Sequence, residues 1–200
     1  QTIEKGESLS LIIRAGAGVN TIDVATASGR GIYVTNCPGR NGDAVAELAI
    51  GLLIACDRRI ASATAEMREG KWNKKEYGRA RGLYGRTLGV IGLGQIGTGV
   101  VRRAQGLGMN VMAWSRSLTP EQADELDVEY ADSPMAVAKK SHAVSIHVAS
   151  TSETKHLVNA EFLAAMPDGA ILINTSRGDL VDTAALKQAI ESKGLRVGLD

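Results

Sequence analysis

The strongest constraint on this chain is the stretch Leu88-Gly89-Val90-Ile91-Gly92-Leu93-Gly94-Gln95-Ile96-Gly97. A short apolar run stops at three glycines spaced G-x-G-x-x-G. Ile96, Val100, Val101, Ala104 and Leu107 then recur at three and four residues, and Gly108 closes the pattern. Strand, glycine turn and helix in that order separate this motif from chance. Gly92 allows the tight turn. Gly94 has no Cβ, so a pyrophosphate can approach the backbone. Gly97 lets the helix pack close to the strand. The open N–H groups of Gln95, Ile96 and Gly97, at the positive end of the helix dipole, would then hold phosphates. The plainer alternative is a glycine-rich turn with no nucleotide.

A dinucleotide site needs a second signal at the end of the next strand. Residues 110–114 read as that strand, and they deliver Ser115 and Arg116. The NAD pattern places Asp or Glu about 20 residues past the glycines, on the ribose 2′-OH. A carboxylate would repel a 2′-phosphate, whereas a hydroxyl and a guanidinium would bind one. Ser115-Arg116 therefore predicts NADP ahead of NAD. The alternative is that Arg116 stacks on the adenine and either coenzyme binds.

Composition excludes several classes. The 200 residues are 44% hydrophobic and 22% charged, with net charge +1, which is ordinary globular material with no field for nucleic acid. Cys37 and Cys56 have no metal spacing and no disulfide framework, so no metal site and a reducing cytoplasm are expected. No apolar run is long enough to span a membrane, and no signal peptide is visible. The chain opens at Gln1 and stops at Asp200 inside an apolar stretch, so both ends read as cut.

The rest of the chain alternates. Residues 9–14 read as a strand, residues 15–20 as a glycine-rich turn, residues 21–29 as a short helix and residues 32–35 as a second strand. A Pro, Gly and Asn loop follows. Residues 44–59 form the most apolar helix, broken only by Glu47 and Asp57, and a helix apolar all round must be covered all round. It is expected between two domains or two subunits. Residues 60–69 continue as helix. Residues 71–86 are basic, aromatic-spotted and glycine-broken, which suits an arm over a neighbouring subunit or an anion surface. Beyond Arg116, helices are expected at residues 120–126, 133–140, 160–166 and 182–193. Strands are expected at residues 128–130, 143–148, 170–174 and 195–199. The strands lack alternation, as in a parallel sheet covered on both faces. The fold class is α/β: a doubly wound parallel sheet of Rossmann type, with part of a second, flavodoxin-like domain.

Ligands of such sheets lie outside the carboxyl ends of the strands. One end delivers His147, Val148, Ala149 and Ser150; another delivers Thr175, Ser176, Arg177 and Gly178. Arg177 at that rim offers a fork of donors for a carboxylate and a neighbouring carbonyl. His147 reads either as an acid or base or, more plainly, as a packed and hydrogen-bonded residue. His142 and His156 read as surface or loop residues.

The glycine motif, Leu172-Ile173-Asn174-Thr175-Ser176-Arg177-Gly178 with Val181-Asp182, and Arg14-Ala15-Gly16-Ala17-Gly18-Val19-Asn20 with Ile22-Asp23 together resemble the D-isomer-specific 2-hydroxyacid dehydrogenases, nearest the 3-phosphoglycerate dehydrogenase branch. The resemblance runs in order from about residue 9 to Asp200. It implies two α/β domains with a cleft between them, and a homodimer. Residues 1–41 would belong to the substrate domain and 42–200 to the NAD(P) domain, with 43–60 as the interdomain helix. It makes Arg177 the catalytic arginine. Ala17, Gly18 and Asn41 join it as substrate-binding residues. Gly92, Gly94, Gln95, Ile96, Gly97, Ser115, Arg116, Val148, Ala149, Ser150, Thr175, Ser176 and Asp200 become coenzyme residues. The family often has Pro where Ala149 stands, and an acid where Ser115-Arg116 stands. Its catalytic Glu and His lie beyond the motif that ends at Asp200, so this chain alone is expected to bind coenzyme and turn over negligibly.

The implied reaction exchanges a D-2-hydroxy acid and a 2-keto acid, with 3-phosphoglycerate as the first substrate class and glyoxylate or hydroxypyruvate as the alternative. Arg14 favours the former and Ser115-Arg116 the latter. A non-catalytic dinucleotide-sensing protein is the alternative of another class. A methyltransferase would want an acid at the second strand, and Ser115-Arg116 opposes it.

Overall fold

The computed structural model describes residues 2–200. They fall into two compact units, one ending at Ala44 and the other Val45–Asp200. The smaller unit holds α1 (Thr2–Lys5), β1 (Leu11–Ile13), α2 (Val24–Gly29) and β2 (Tyr33–Thr35). β1 and β2 pair in parallel, as strand-helix-strand alternation requires. Asp23 caps α2 by accepting from Thr26 N–H at 2.9 Å. α1 lies in a polar stretch whose sequence carries no helical pattern.

α3 (Gly42–Arg58) crosses from one unit into the other and is followed by α4 (Ile60–Arg68) and α5 (Lys74–Tyr77). Then come β3 (Thr87–Ile91), α6 (Gln95–Gly106), β4 (Asn110–Trp114), α7 (Pro120–Glu125) and β5 (Glu129–Tyr130). The chain ends through α8 (Pro134–Lys140), β6 (Ala143–Ile146), α9 (Ala160–Ala165), β7 (Ile171–Asn174), a 3₁₀ turn (Gly178–Leu180), α10 (Thr183–Lys193) and β8 (Arg196–Leu199). All six strands are parallel, in the order β5-β4-β3-β6-β7-β8. The chain reverses direction across the sheet between β3 and β6, and that switch point is where such sheets bind ligands.

Successive strand residues feed opposite cores, which is why these strands are apolar without alternation. Ile91, Met112, Val144, Ile146 and Leu172 meet Phe162, Leu163, Leu186 and Ala189 on one face. Leu88, Val90, Val111, Ala113 and Ile173 meet Ala46, Ile50, Leu53, Val100 and Ala104 on the other. The expected elements are all present, most with ends shifted by one to three residues, and α3 starts two residues earlier than expected. Thr119, Ser133, Asn159 and Asp182 each accept from a backbone N–H of α7 to α10. α5 and the 3₁₀ turn were not legible, being single turns without periodicity.

Among the described residues α3 is covered along one stripe. It buries the stripe Ala46, Ala49, Ile50, Leu53 and Asp57, while Leu48 remains 41% exposed. The stretch 71–86 is also more than a solvated arm. Its end is tied down by Asp57, which is 1% exposed and accepts from Gly82 N–H at 3.1 Å and Arg86 Nη1 at 2.9 Å. Arg196 donates to the carbonyls of Cys56, Asp57 and Gly169, each at 3.2 Å. With Arg196 Nη1 also 4.0 Å from the Asp57 carboxylate, the end of α3, the entry to β3 and the entry to β8 meet at this one buried acid.

Removing that carboxylate would strand the guanidinium of Arg86, whose side chain is 12% exposed. Asp57→Ala is expected to lower unfolding stability by about 3–5 kcal/mol, measured by urea denaturation. Lys140→Ala, which breaks the exposed pair to Glu129 at 3.1 Å, should change it by less than about 1 kcal/mol.

Candidate dinucleotide site

The turn after β3 explains its three glycines separately. Gly92 has φ +98°, and a Cβ there would lie 2.8 Å from the carbonyl of His147 and 2.9 Å from Val148 Cγ1. It is needed both for its backbone angle and because the chain leaving β6, at His147 and Val148, passes against it. A Cβ on Gly97 would lie 1.9 Å from the carbonyl oxygen of Gly92. The close contact is thus with the turn itself rather than with the body of the strand. At Gly94 a Cβ would meet nothing within 4 Å. The space beside Gly94 is open, as close approach of a phosphate requires.

Gly94 is also the N-cap of α6 and offers no capping side chain. The helices α7 to α10 all have one. The first-turn N–H groups of α6, at Gln95, Ile96 and Gly97, keep no intrahelical partner by geometry. An anion would satisfy them and the helix dipole together. The residues present therefore fit a dinucleotide phosphate group.

Beside this turn, β4 ends at Trp114, and Gly92 N–H donates to the Trp114 carbonyl at 2.8 Å. A cavity of about 300 Å³ opens there, lined by Leu93, Ser115, Ser117, Leu118, Gln122, Glu125 and Leu126. Ser115 lies in its wall, while the neighbouring Arg116 is exposed and outside the lining. Leu93, Leu118 and Leu126 give it an apolar side suited to a flat ring. Sequence reasoning missed these leucines. Their signal was one apolar residue inside the glycine motif and two flanking a short polar helix.

The ends of β6 and β7 complete this edge. His147 is not an acid or base poised for neutral pH. Its Nε2 shares a 2.7 Å hydrogen bond with Ser145 Oγ, and its Nδ1 is buried with no partner. Burial lowers its pKa to about 4, so the ring is neutral near pH 7. His147 and Thr175 each follow the last paired residues of β6 and β7, Ile146 and Asn174, and the Thr175 Oγ1 is likewise buried with no partner among the described residues. Val148 and Ser150 are half-buried and Ala149 is exposed, with the Ser150 hydroxyl donating to Asp179 at 2.7 Å.

Asn174 shapes the loop after β7, and sequence reasoning did not single it out. It is 4% exposed; its amide donates to the Arg177 carbonyl at 2.8 Å and accepts from Ser176 N–H at 2.9 Å. Ser176 Oγ donates to the Ile146 carbonyl at 3.0 Å. Arg177, half-buried, is thereby held at the rim, with Nη1 on the Ser176 carbonyl at 2.8 Å. Asp200 N–H donates to the Asn174 carbonyl at 3.2 Å, so the last residue stands beside this loop.

The structure thus gathers Gly92, Gly94, Gln95, Ile96, Gly97, Ser115, Arg116, Val148, Ala149, Ser150, Thr175, Ser176, Arg177 and Asp200 on the carboxyl edge of one sheet. Ala17, Gly18 and Asn41 belong to the smaller unit. There the turn is held by Arg14 Nε on the Gly18 carbonyl at 3.2 Å and Asn36 Nδ2 on the Ala17 carbonyl at 2.7 Å. With both carbonyls engaged by these side chains, the turn is fixed in place.

The neutral His147 gives a pH dependence with a definite sign. Its folded pKa of about 4 lies below the ordinary histidine value of 6.5. Between those values the unfolded chain binds the extra proton, so stability rises with pH across that window and is lost as pH falls from 6.5 toward 4. The total is about 3 kcal/mol. Urea midpoints measured across the window should show this slope, and His147→Gln should flatten it.

The profile of the family described as D-isomer specific 2-hydroxyacid dehydrogenase, NAD binding domain, matches residues 50–200. A hydroxypyruvate reductase of Thermotoga maritima is 44% identical over 199 residues, covering 99% of this chain and 63% of that protein. A D-3-phosphoglycerate dehydrogenase of Methanocaldococcus jannaschii is 41% identical over 194 residues, covering 97% of this chain and 37% of that protein. Among solved structures, D-lactate dehydrogenase from Aquifex aeolicus complexed with NAD and lactic acid superposes with a TM-score of 0.86 at 32% identity, covering 99% of this chain and 59% of that one. The chain therefore spans between about a third and two thirds of the length of these relatives. With its glycine turn, its switch point and its profile match in agreement, the chain belongs to the D-isomer specific 2-hydroxyacid dehydrogenases and carries their NAD-binding domain.

Proposed function

We propose that the protein containing this chain is an NAD(P)-dependent oxidoreductase interconverting a D-2-hydroxy acid and a 2-keto acid. The observation that carries this is the open space at Gly94 beside the uncapped start of α6, in a chain of this family. When bound, the nicotinamide supplies hydride transfer. The chain's own residues position the reactants. N–H groups of Gln95 to Gly97 hold the pyrophosphate. Val148, Ala149, Ser150, Thr175, Ser176 and Asp200 line the nicotinamide end. Arg177 orients the substrate carboxylate and polarises the neighbouring carbonyl, and His147 stays neutral and structural. Ala17, Gly18 and Asn41 contribute substrate contacts. Residues 1–41 are part of the substrate domain, 42–200 the NAD(P) domain, and 43–60 the helix between them.

The substrate class we assign first is 3-phosphoglycerate, supported by the 41% identical phosphoglycerate dehydrogenase and by the arginine at the Gly16–Gly18 turn. Glyoxylate or hydroxypyruvate is the second reading, favoured by the 44% identical hydroxypyruvate reductase and by Ser115-Arg116. A reducing cytoplasm suits the two free cysteines. The chain forms a homodimer in this reading: Ile60, Met67 and Trp72 are 48%, 58% and 73% exposed on α4 and the following stretch, an apolar surface that a second copy would cover. Sedimentation should then give twice the 21.0 kDa chain mass, and Trp72→Asp should return it to the single-chain value.

Coenzyme titration calorimetry tests the central reading. NADPH is expected to bind more tightly than NADH. Gly94→Ala should keep the melting temperature and lose about tenfold or more in affinity for both. Gly97→Ala should lower the melting temperature as well, because its Cβ has no room. Arg116→Ala should lose about tenfold for NADPH and little for NADH, the scale of one charge-assisted hydrogen bond. Absence of binding by either coenzyme would overturn the assignment.

A further inference from the structure

The opposite edge of the sheet carries a second polar cluster that the coenzyme does not use. Arg86, His142, Ala170 and Arg196 stand at or just before the starts of β3, β6, β7 and β8. Strands of four and five residues separate this edge from the carboxyl edge, a span of about 15 Å at about 3.3 Å per residue. A cavity of about 240 Å³ opens here, lined by Arg81, Arg86, His142, Asp168 and Arg196 together with residues 167–170. A second, of about 310 Å³, adjoins it through the shared Arg81 and Arg196, and adds Arg59 and Arg79 opposite Asp57 and Glu76.

The charges in this groove do not cancel. Five guanidinium groups face three carboxylates. Glu76 is taken by Arg59 at 2.8 Å and Arg79 at 3.4 Å. Asp57 is buried under Arg86, with Arg196 Nη1 at 4.0 Å; Arg196 gives Nη1 to the Cys56 and Asp57 carbonyls and one Nη2 proton to Gly169, leaving its Nε–H and the second Nη2 proton for a ligand. Asp168 is 85% exposed and lies 3.7 Å from Lys193. Arg81 forms no ion pair with any described residue. His142 Nδ1 accepts the Thr87 N–H at 3.1 Å, so its neutral ring carries the proton on Nε2 and can donate. Burial first, and then the charges of Arg86 and Arg81, hold its pKa below the ordinary histidine value.

We propose that this amino edge is a binding site for a phosphate group, held by Arg81, Arg196 and the Nε2–H of His142, with Arg86 fixed behind them by Asp57. Guanidinium forks match phosphate oxygens, and a preformed cluster of them suits a dianion. The adjoining cavity leaves room for the remainder of a small phosphate ester. The site is separate from the glycine turn and does not depend on which substrate the enzyme takes.

The test follows the three histidine ring resonances of the full chain by NMR, assigning His142 through His142→Asn. Inorganic phosphate is titrated against chloride at constant ionic strength, with saturating coenzyme present so that the glycine turn is filled. The expected result is a saturable shift of the His142 resonance, a rise in its pKa, and no matching change at His147. Arg81→Ala should weaken phosphate binding by about tenfold, the scale of one charge-assisted contact, and Arg81→Lys should restore part of it. Both variants should keep coenzyme affinity and melting temperature. A response to phosphate no larger than that to chloride, or an unchanged phosphate affinity in Arg81→Ala, would overturn the proposal. Neither result would touch the coenzyme assignment.

Discussion

Burial of both faces of the sheet is the constraint on which the larger unit depends. Strands that feed cores on two sides, as Val90 and Ile91 do, leave no face for polar chemistry. Apart from Ser145, which bonds His147, the polar groups of these strands stand at their ends. At the carboxyl edge the strand order reverses between β3 and β6, and a crevice opens where β3 turns into α6. The crevice is kept open by what is missing there: a Cβ at Gly94 and a capping side chain on α6.

The carboxyl edge is rigid for the same reason that it is polar. Asn174 is buried, and it satisfies both halves of its amide within the loop that presents Ser176 and Arg177. Ser176 crosses to the Ile146 carbonyl, locking the ends of β6 and β7 together. If Arg177 binds the substrate as proposed, its donor fork gains from being held before the substrate arrives. His147 contributes to that rigidity as an uncharged ring bonded to Ser145, not as a proton carrier.

The two edges differ in electrostatic logic. The carboxyl edge carries the uncapped backbone N–H groups of α6 and the Arg177 guanidinium. The amino edge concentrates full charges around Asp57, which spans α3, β3 and β8. Burying one carboxylate among guanidinium groups ties distant segments together. Because Arg81 has no acidic partner among the described residues, the same arrangement leaves a positive surface.

The sequence by itself determined the glycine turn, the order of strands and helices and the parallel sheet, because each is written in spacings of a few residues: G-x-G-x-x-G, three-and-four periodicity, Ser, Asn or Asp at helix starts. It also marked Arg177 and Ser115-Arg116, since strand ends in such a sheet are where ligands bind. It left His147 open between two roles, and only its buried contact with Ser145 decided that. Asn174 read as one more strand residue, and its role as the brace of Arg177 needed the loop geometry. The gathering of Asp57, Arg86 and Arg196 was decided by tertiary structure alone. Asp57 and Arg196 are 139 residues apart, and no local pattern encodes which charges a folded chain brings across such a distance.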